Sequence, residues 1–587
     1  MPARSEIDDK FKWAVSDLYS SDEAWEKDYN SILELTDQPS ELKGRMGGSA
    51  GMLYKALKEY ERVEYITERV YVYAFMKYYE DTGNSKYQEI SGKAQMAAMK
   101  VSEKYAFLEP ELISIDTDVL DKYISEDERL GMYKHFIDDC LAGTLSEKEE
   151  ALLAKASQMS TVPNEVFSKF NNADVKFGKV KRENGQEDEL TNGNFATFME
   201  SHDRAVRKAA FEALYKQYGA YINTIAAAFY GNVKQAMFYA DARGYKSTLN
   251  MYLDGSFIPE NVYKNLIKTV NDNLDKMYCY VDIRKKALGV DELHFYDIYA
   301  PMVEDIDWKI SYDEAKDIVV KALAPMGEEY VSHIKEGFNN GWVDVYENTG
   351  KRSGAFSWGA YGTHPYVFLN YSDTLNDVFT VIHEMGHAMH TYYSNANQPY
   401  IYAGYKIFVA EVASTCNEAL LMQYMLKNTD DEKKKRYLLN HFFEQFKGTL
   451  YRQTMFAEFE MEAHAKAEHG EVLSAESLCA MYKKLNEKYF GPDMVIDDEI
   501  ALEWARIPHF YTPFYVYQYA TGYSAAIAIS TKILAGDEQV IAGYRKFLSG
   551  GSSMHPIELL KLCGIDMTKP DVVQEALDVF GELLKQW

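Results

Sequence analysis

Apolar residues recur every three to four positions along most of this chain, a period that predicts helices. Near the start, Ser20 with Glu23 forms a capping box, after which Trp25, Tyr29, Ile32 and Leu33 mark one helical face. Ser146 with Glu149 repeats the device ahead of ALLAKASQM, and GGSAG at 47–51 predicts a loop between them. The pattern changes at 174–190, DVKFGKVKRENGQEDEL. Residues there alternate in type around Asn184-Gly185, which predicts a β-hairpin inserted near a lobe boundary. Helical period resumes near 202 in HDRAVRKAAFEALYKQYG. A second β-like stretch, GAFSWGAYGTHPYVFLNY at 354–371, precedes a C-terminal region that is helical with short breaks. No internal repeat interrupts this order. The predicted fold is mainly α, with a small β-sheet beside the helix that follows residue 374.

Length and composition sharpen this picture. At 587 residues the chain is too long for one small core, so two or more lobes are expected. Only 14 prolines occur, about half the usual ~5% share, which favours helix. Tyrosine, at 47, suits wet clefts as well as cores. A net charge of −27 argues against nucleic-acid partners and against an anionic membrane surface. The five cysteines, Cys140, Cys279, Cys416, Cys479 and Cys563, are widely spaced and form no CxxC, which fits a reducing cytosol. The first 21 residues lack the apolar run of a signal peptide, and no uncharged stretch is long enough to span a bilayer. The expected location is therefore cytoplasmic.

Candidate chemistry centres on FTVIHEMGHAMH, 379–390, which holds three of the chain's 13 histidines. Thr374 and Asp377 make a capping box, so a helix is expected through Val378 to about His390. His383 and His387, four apart, then share one face and can share a metal. Glu384 lies about 100° around the helix, within reach of a water held by that metal. Neutral imidazole suits zinc. HExxH also arises by chance on solvated helices, so further parts are required. His390 sits roughly 10 Å beyond His383 at ~1.5 Å per residue, too far for zinc bonds of about 2 Å. It is expected to be packed, to face substrate, or to support a ligand. The third ligand of the HExxHxxGxxH pattern would fall at Tyr393, which excludes that class. Glu411 is the candidate third ligand, a carboxylate in the otherwise apolar run Ile407 to Ala413, where a charge needs a partner. Glu418, seven residues on, shares its face and is either an exposed helix residue or a carboxylate that bonds a ligand histidine. Cys416 points elsewhere, into core. Two His and one Glu leave one tetrahedral position open, as a catalytic zinc requires.

Cleaving an amide also needs a donor for the oxyanion. In RIPHFYTPFYVYQYATGYSAAIA, 506–528, Thr512 and Pro513 suggest an N-cap and first helical position. Tyr515, Tyr519 and Tyr523 would then share a face, with His509 just ahead. Such a stripe is more often aromatic packing than a donor set, and only the metal motif tips the reading toward donors.

HEMGHAMH, FVAEVASTCNE and PHFYTPFYVYQYATGYSAA together resemble oligoendopeptidase F, a branch of the thimet-oligopeptidase family of zinc peptidases. GAFSWGAYGTHPYVFLNY is similar to that family's segment before the zinc helix. The resemblance covers nearly the whole chain. It implies a two-lobed helical body with a deep substrate channel, one Zn²⁺ per chain and short peptide substrates. It divides the chain into an N-terminal helical region, 1–190, ending in the β-hairpin, and a catalytic region, 191–587. It implies His383, His387 and Glu411 as ligands and Glu384 as general base. His509 and a downstream tyrosine, Tyr519 before Tyr523, become transition-state donors. The family's substrate-pairing strand matches part of Gly354 to Tyr361, so Gly359 and Ala360 are candidate substrate contacts, and Tyr515 is a further one. The function expected is a zinc endopeptidase for oligopeptides. Its rivals are a zinc carboxypeptidase or dipeptidyl carboxypeptidase on a similar scaffold, a catalytically silent peptide-binding protein, and a metal-storage protein. Oligomeric state stays open between monomer and homo-oligomer.

Overall fold

Small capping side chains set where the long helices begin. The computed structural model describes every residue except 38, 39, 143, 144, 146, 305 and 307. The first long helix, Asp22–Thr36, is capped by Ser21 rather than Ser20. Ser21 holds extended backbone and accepts the Ala24 N–H at 3.3 Å. The loop expected at 47–51 is shorter than its composition suggests, because Ser49 caps the helix Ala50–Glu80 through the Met52 N–H. Helix Glu147–Ser160 follows as expected, although the cap assigned to Ser146 lies outside the described residues.

The chain divides into two compact units, each built from three chain segments. The first comprises 1–147, 308–424 and 529–564. Helices Asp22–Thr36, Ala50–Glu80 and Ser85–Tyr105 pack around Trp25, Ile32, Val70 and Ala94. Their core continues into Tyr366 and Phe368 of a three-stranded sheet. In that sheet Tyr366–Phe368 is central, parallel to Val343–Asp344 and antiparallel to Phe356–Trp358. Val343–Asp344 carries no alternating pattern and was not foreseen. Its Asp344 carboxylate is buried between Arg4 at 2.5 Å and Lys351 at 2.6 Å. Burial works against that charge, but the two cations outweigh it and hold the carboxyl below its ordinary range. Phe356–Trp358 is an edge strand, with Ser357 opposite Val367.

The second unit comprises 148–307, 425–528 and 565–587. The hairpin forms as predicted but with short strands, Lys179–Lys181 and Glu187–Glu189. Gly185 turns at φ +83, a backbone region favourable to glycine. Helices Arg204–Ala220, Ile222–Ala242, Arg452–Glu468 and Ala475–Phe490 enclose an aromatic core that includes Phe229, Phe459, Tyr482 and Trp504. No helix among the described residues is long and apolar enough to cross a membrane.

Candidate active site

The helix carrying the HExxH motif is Leu375–Asn397, longer than the motif alone predicts. Thr374 and Asp377 form the expected capping box. The Thr374 N–H donates to Asp377 at 2.9 Å, and Thr374 Oγ1 accepts the Asp377 N–H at 3.2 Å. His383 and His387 fall one turn apart, with ring centroids 4.8 Å apart and planes at 83°. Glu411 enters from the helix Ile407–Lys427. One oxygen of Glu411 lies 3.5 Å from Nε2 of both histidines. Ser414 Oγ donates to the same oxygen at 3.1 Å and steadies it, a contact that sequence spacing did not suggest.

A glycine makes this meeting of helices possible. A Cβ on Gly386 would stand 2.6 Å from the Ser414 Cα and 2.9 Å from the Ala413 carbonyl. The motif helix therefore rests backbone to backbone on the helix that brings Glu411. The signal was in the sequence, as a glycine inside a helical pattern.

The surroundings favour positive charge at these three candidate ligands. Nδ1 of His383 donates to Glu418, which leaves Nε2 to face Glu411. Burial opposes protonation of His383, but that hydrogen bond and the charges of Glu418, Glu384 and Glu411 outweigh it, raising its pKa to about 9. Glu411 is pulled down to about 2, first by its hydrogen bond with His387, against burial. Carboxylates that draw a proton to these imidazoles would draw a divalent cation in its place, and two nitrogens with one oxygen are a fitting donor set for zinc. Glu384 is buried at 7% exposure. Burial raises its pKa, and His383 and His387 partly counter the rise. His390 is packed, at 1% exposure, with its ring stacked 3.7 Å from Tyr405. Cys416 is core, as expected.

A cavity of about 530 Å³ in the same unit is lined by Ser357, Gly359, Ala360, Thr391 and Tyr405, and by Glu64 and Glu68. Gly359 is partly exposed, whereas Ala360 is buried and its carbonyl accepts both the N–H and the hydroxyl of Thr363.

The predicted donors lie in the second unit. His509 sits in a 3-10 turn, Pro508–Tyr511, and the helix begins only at Tyr517. Thr512 and Pro513 therefore do not start it. The cause is Phe514, whose φ of +55 breaks any right-handed helix there. Its N–H donates at 3.0 Å to Glu460, a carboxyl with no exposed surface. Burial, partly offset by that bond, raises the Glu460 pKa to about 8. Phe514 packs between His464 and Tyr263, and Asn232 donates to the Phe510 carbonyl at 3.3 Å. The result is a fixed turn. On it His509 and Tyr515 are stacked, Tyr519 meets both edge-on, and the Tyr519 hydroxyl lies 3.5 Å from His509 Nε2. Partial burial and the charge of Arg452 lower the His509 pKa. Tyr523 is buried, edge-on to Phe446. Glu460 had no signal beyond being a carboxylate in the mixed run FAEFEMEA.

Comparison with known proteins finds relatives across the length of this chain. The model of peptidase family M3 matches residues 197–579, and that of oligopeptidase F matches 111–177. Oligopeptidase PepF of Bacillus subtilis is 49% identical over all of this chain and 88% of its own length. The oligoendopeptidase F homolog of Lactococcus lactis is 40% identical, over 99% of this chain and 98% of its own. The crystal structure of oligoendopeptidase-F from Enterococcus faecium superposes with a TM-score of 0.74 at 35% identity, over 96% of this chain and 98% of that one. A structure from Chlamydophila abortus superposes at 0.95 with 34% identity, over 100% and 99%. The chain belongs to peptidase family M3, in its oligoendopeptidase F branch, and is a metalloendopeptidase acting on oligopeptides.

Proposed function

We propose that His383, His387 and Glu411 hold a single Zn²⁺ and that Glu384 is the general base of peptide hydrolysis. The observation that carries this reading is the convergence of two Nε2 atoms on one oxygen of Glu411, each at 3.5 Å. When bound, the metal polarises the scissile carbonyl and acidifies the attacking water. Glu384, buried on the motif helix, takes a proton from that water and returns it to the leaving amine. Its raised pKa makes it a stronger base than an exposed carboxylate. Glu418 fixes the His383 tautomer so that Nε2 keeps its lone pair for the ion.

His509 and Tyr519 serve as oxyanion donors, in keeping with the family resemblance and with their shared cluster. The packing of Tyr523 leaves it second to Tyr519. The edge strand Phe356–Trp358, with Gly359 beyond it, pairs with extended substrate backbone, and Tyr515 contacts the peptide, whereas Ala360, buried with its carbonyl bonded to Thr363, does not pair with substrate. Substrates are short unstructured peptides, and the compartment is the cytosol.

Glu384→Gln tests the base. It should retain its metal and lose about 10²- to 10⁴-fold in kcat. Near-normal turnover in that variant would remove Glu384 from the role. Mass spectrometry of fragments from a ~9-residue peptide, with and without chelator, should show internal cuts that chelation abolishes.

A further inference from the structure

Outside the active site, one other group of three metal-ligating side chains converges among the described residues. His135 and Asp139 lie one turn apart on the helix Lys134–Leu141, with Nδ1 and Oδ1 at 3.8 Å. His555, the residue preceding the helix Pro556–Lys561, brings its ring centroid within 4.9 Å of His135 at 60°. One donor atom from each of the three lies within 4.8 Å of the others, the same closeness that His383, His387 and Glu411 achieve. Both groups use an i, i+4 pair on one helix and a third ligand from a distant segment.

We propose that His135, Asp139 and His555 form a second site for a divalent transition metal, distinct from the catalytic one. Two imidazoles and a carboxylate select Zn²⁺, Co²⁺, Ni²⁺ or Cu²⁺ over Ca²⁺ and Mg²⁺, which take oxygen ligands. The His135 and Asp139 side chains are 27% and 24% exposed, so an ion can enter and keep water in its remaining positions. Asp139 and Glu558 place negative charge near the His555 ring, and Lys406 places positive charge there.

The site would tie together segments far apart in the sequence. The Tyr402 hydroxyl donates to the Met132 carbonyl at 2.7 Å and accepts the Phe136 N–H at 3.2 Å. The Ser552 N–H donates to the Tyr402 carbonyl at 2.9 Å. An ion held by His135, Asp139 and His555 clamps the helix Lys134–Leu141 to the segment before Pro556, around Tyr402. It binds the folded chain alone, so it raises thermal stability by mass action.

The test uses the full chain and Zn²⁺ as the probe. Elemental analysis after equilibrium dialysis against excess Zn²⁺ should find two equivalents on the wild type and one on His555→Ala and on Asp139→Asn. The Tm of the wild type should rise between the first and second equivalents, and neither variant should show that second rise. Both variants should keep wild-type peptidase activity when loaded with one equivalent, which also shows that they fold. If His555→Ala does not fold, the near-isosteric Asp139→Asn decides alone. Saturation of the wild type at one equivalent, or two equivalents retained by Asp139→Asn, overturns the proposal.

Discussion

The candidate metal site and the turn that carries the proposed donors are built by opposite means. Regular structure builds the first. A capping box starts a helix, a four-residue spacing aligns two imidazoles, and a glycine admits a second helix carrying Glu411. Irregular structure builds the second. A residue at φ +55 breaks the helix, and a buried carboxyl holds its N–H, so that His509 and Tyr515, ahead of the helix Tyr517–Leu534, meet Tyr519 in its first turn. Periodicity can forecast the pairing of His383 with His387 but not the turn, because the turn depends on a contact between residues 54 positions apart.

Replacing Glu411 should produce the largest effect. Glu411→Ala leaves two imidazoles facing the vacated position, so metal analysis should find less than a full equivalent after dialysis, and peptidase activity should fall to background. A full equivalent retained by the variant would mean that the ion sits elsewhere. In the donor turn, Tyr519→Phe should keep the metal and lower kcat by roughly 10²- to 10³-fold with KM little changed, the usual cost of one oxyanion donor. Tyr523→Phe, changed where the ring is buried against Phe446, should cost far less. Equal losses from the two would dissolve the distinction between them. Glu418→Gln should weaken metal affinity by about 10- to 100-fold, measured by competition with a chelator, because the His383 tautomer is then less firmly held.

These effects follow how the sequence could be read. The placing of His383 and His387 on one helical face, with Glu384 beside them, was legible from their spacing, whereas Glu411 stood out only as a carboxylate in the apolar run Ile407 to Ala413 and spacing left Glu418 with two readings. The mainly helical fold and the hairpin at Asn184-Gly185 were legible for the same local reason. The helix start at Tyr517 was misread because Thr512-Pro513 is a good local cap signal, overruled by the tertiary contact of Phe514 with Glu460. Strand Val343–Asp344 was missed because two residues carry no alternation, and its Asp344 is stabilised by cations from distant positions, Arg4 and Lys351.

The smallest predicted effect probes the donor turn at its support. Glu460 has a folded pKa near 8, well above the ~4.3 of an unfolded glutamate. Between those values the native state binds more protons than the unfolded state, so this group makes stability fall as pH rises from about 4 to 8, and the loss is complete above its folded pKa. Tyr252 and Tyr263 flank it, and no cation is among the groups that shift it. Glu460→Gln keeps an oxygen for the Phe514 N–H and removes the titration. Its Tm relative to wild type should therefore climb steadily from pH 5 to pH 8, while kcat at neutral pH stays within a few-fold. Glu460→Ala leaves the Phe514 N–H buried without its acceptor, at a cost of ~1–3 kcal/mol, and should lower kcat more than it changes metal content. A Tm difference between Glu460→Gln and wild type that is flat across this range would mean that the carboxyl is already ionised at pH 5, and that the turn is held by packing around Phe514 instead.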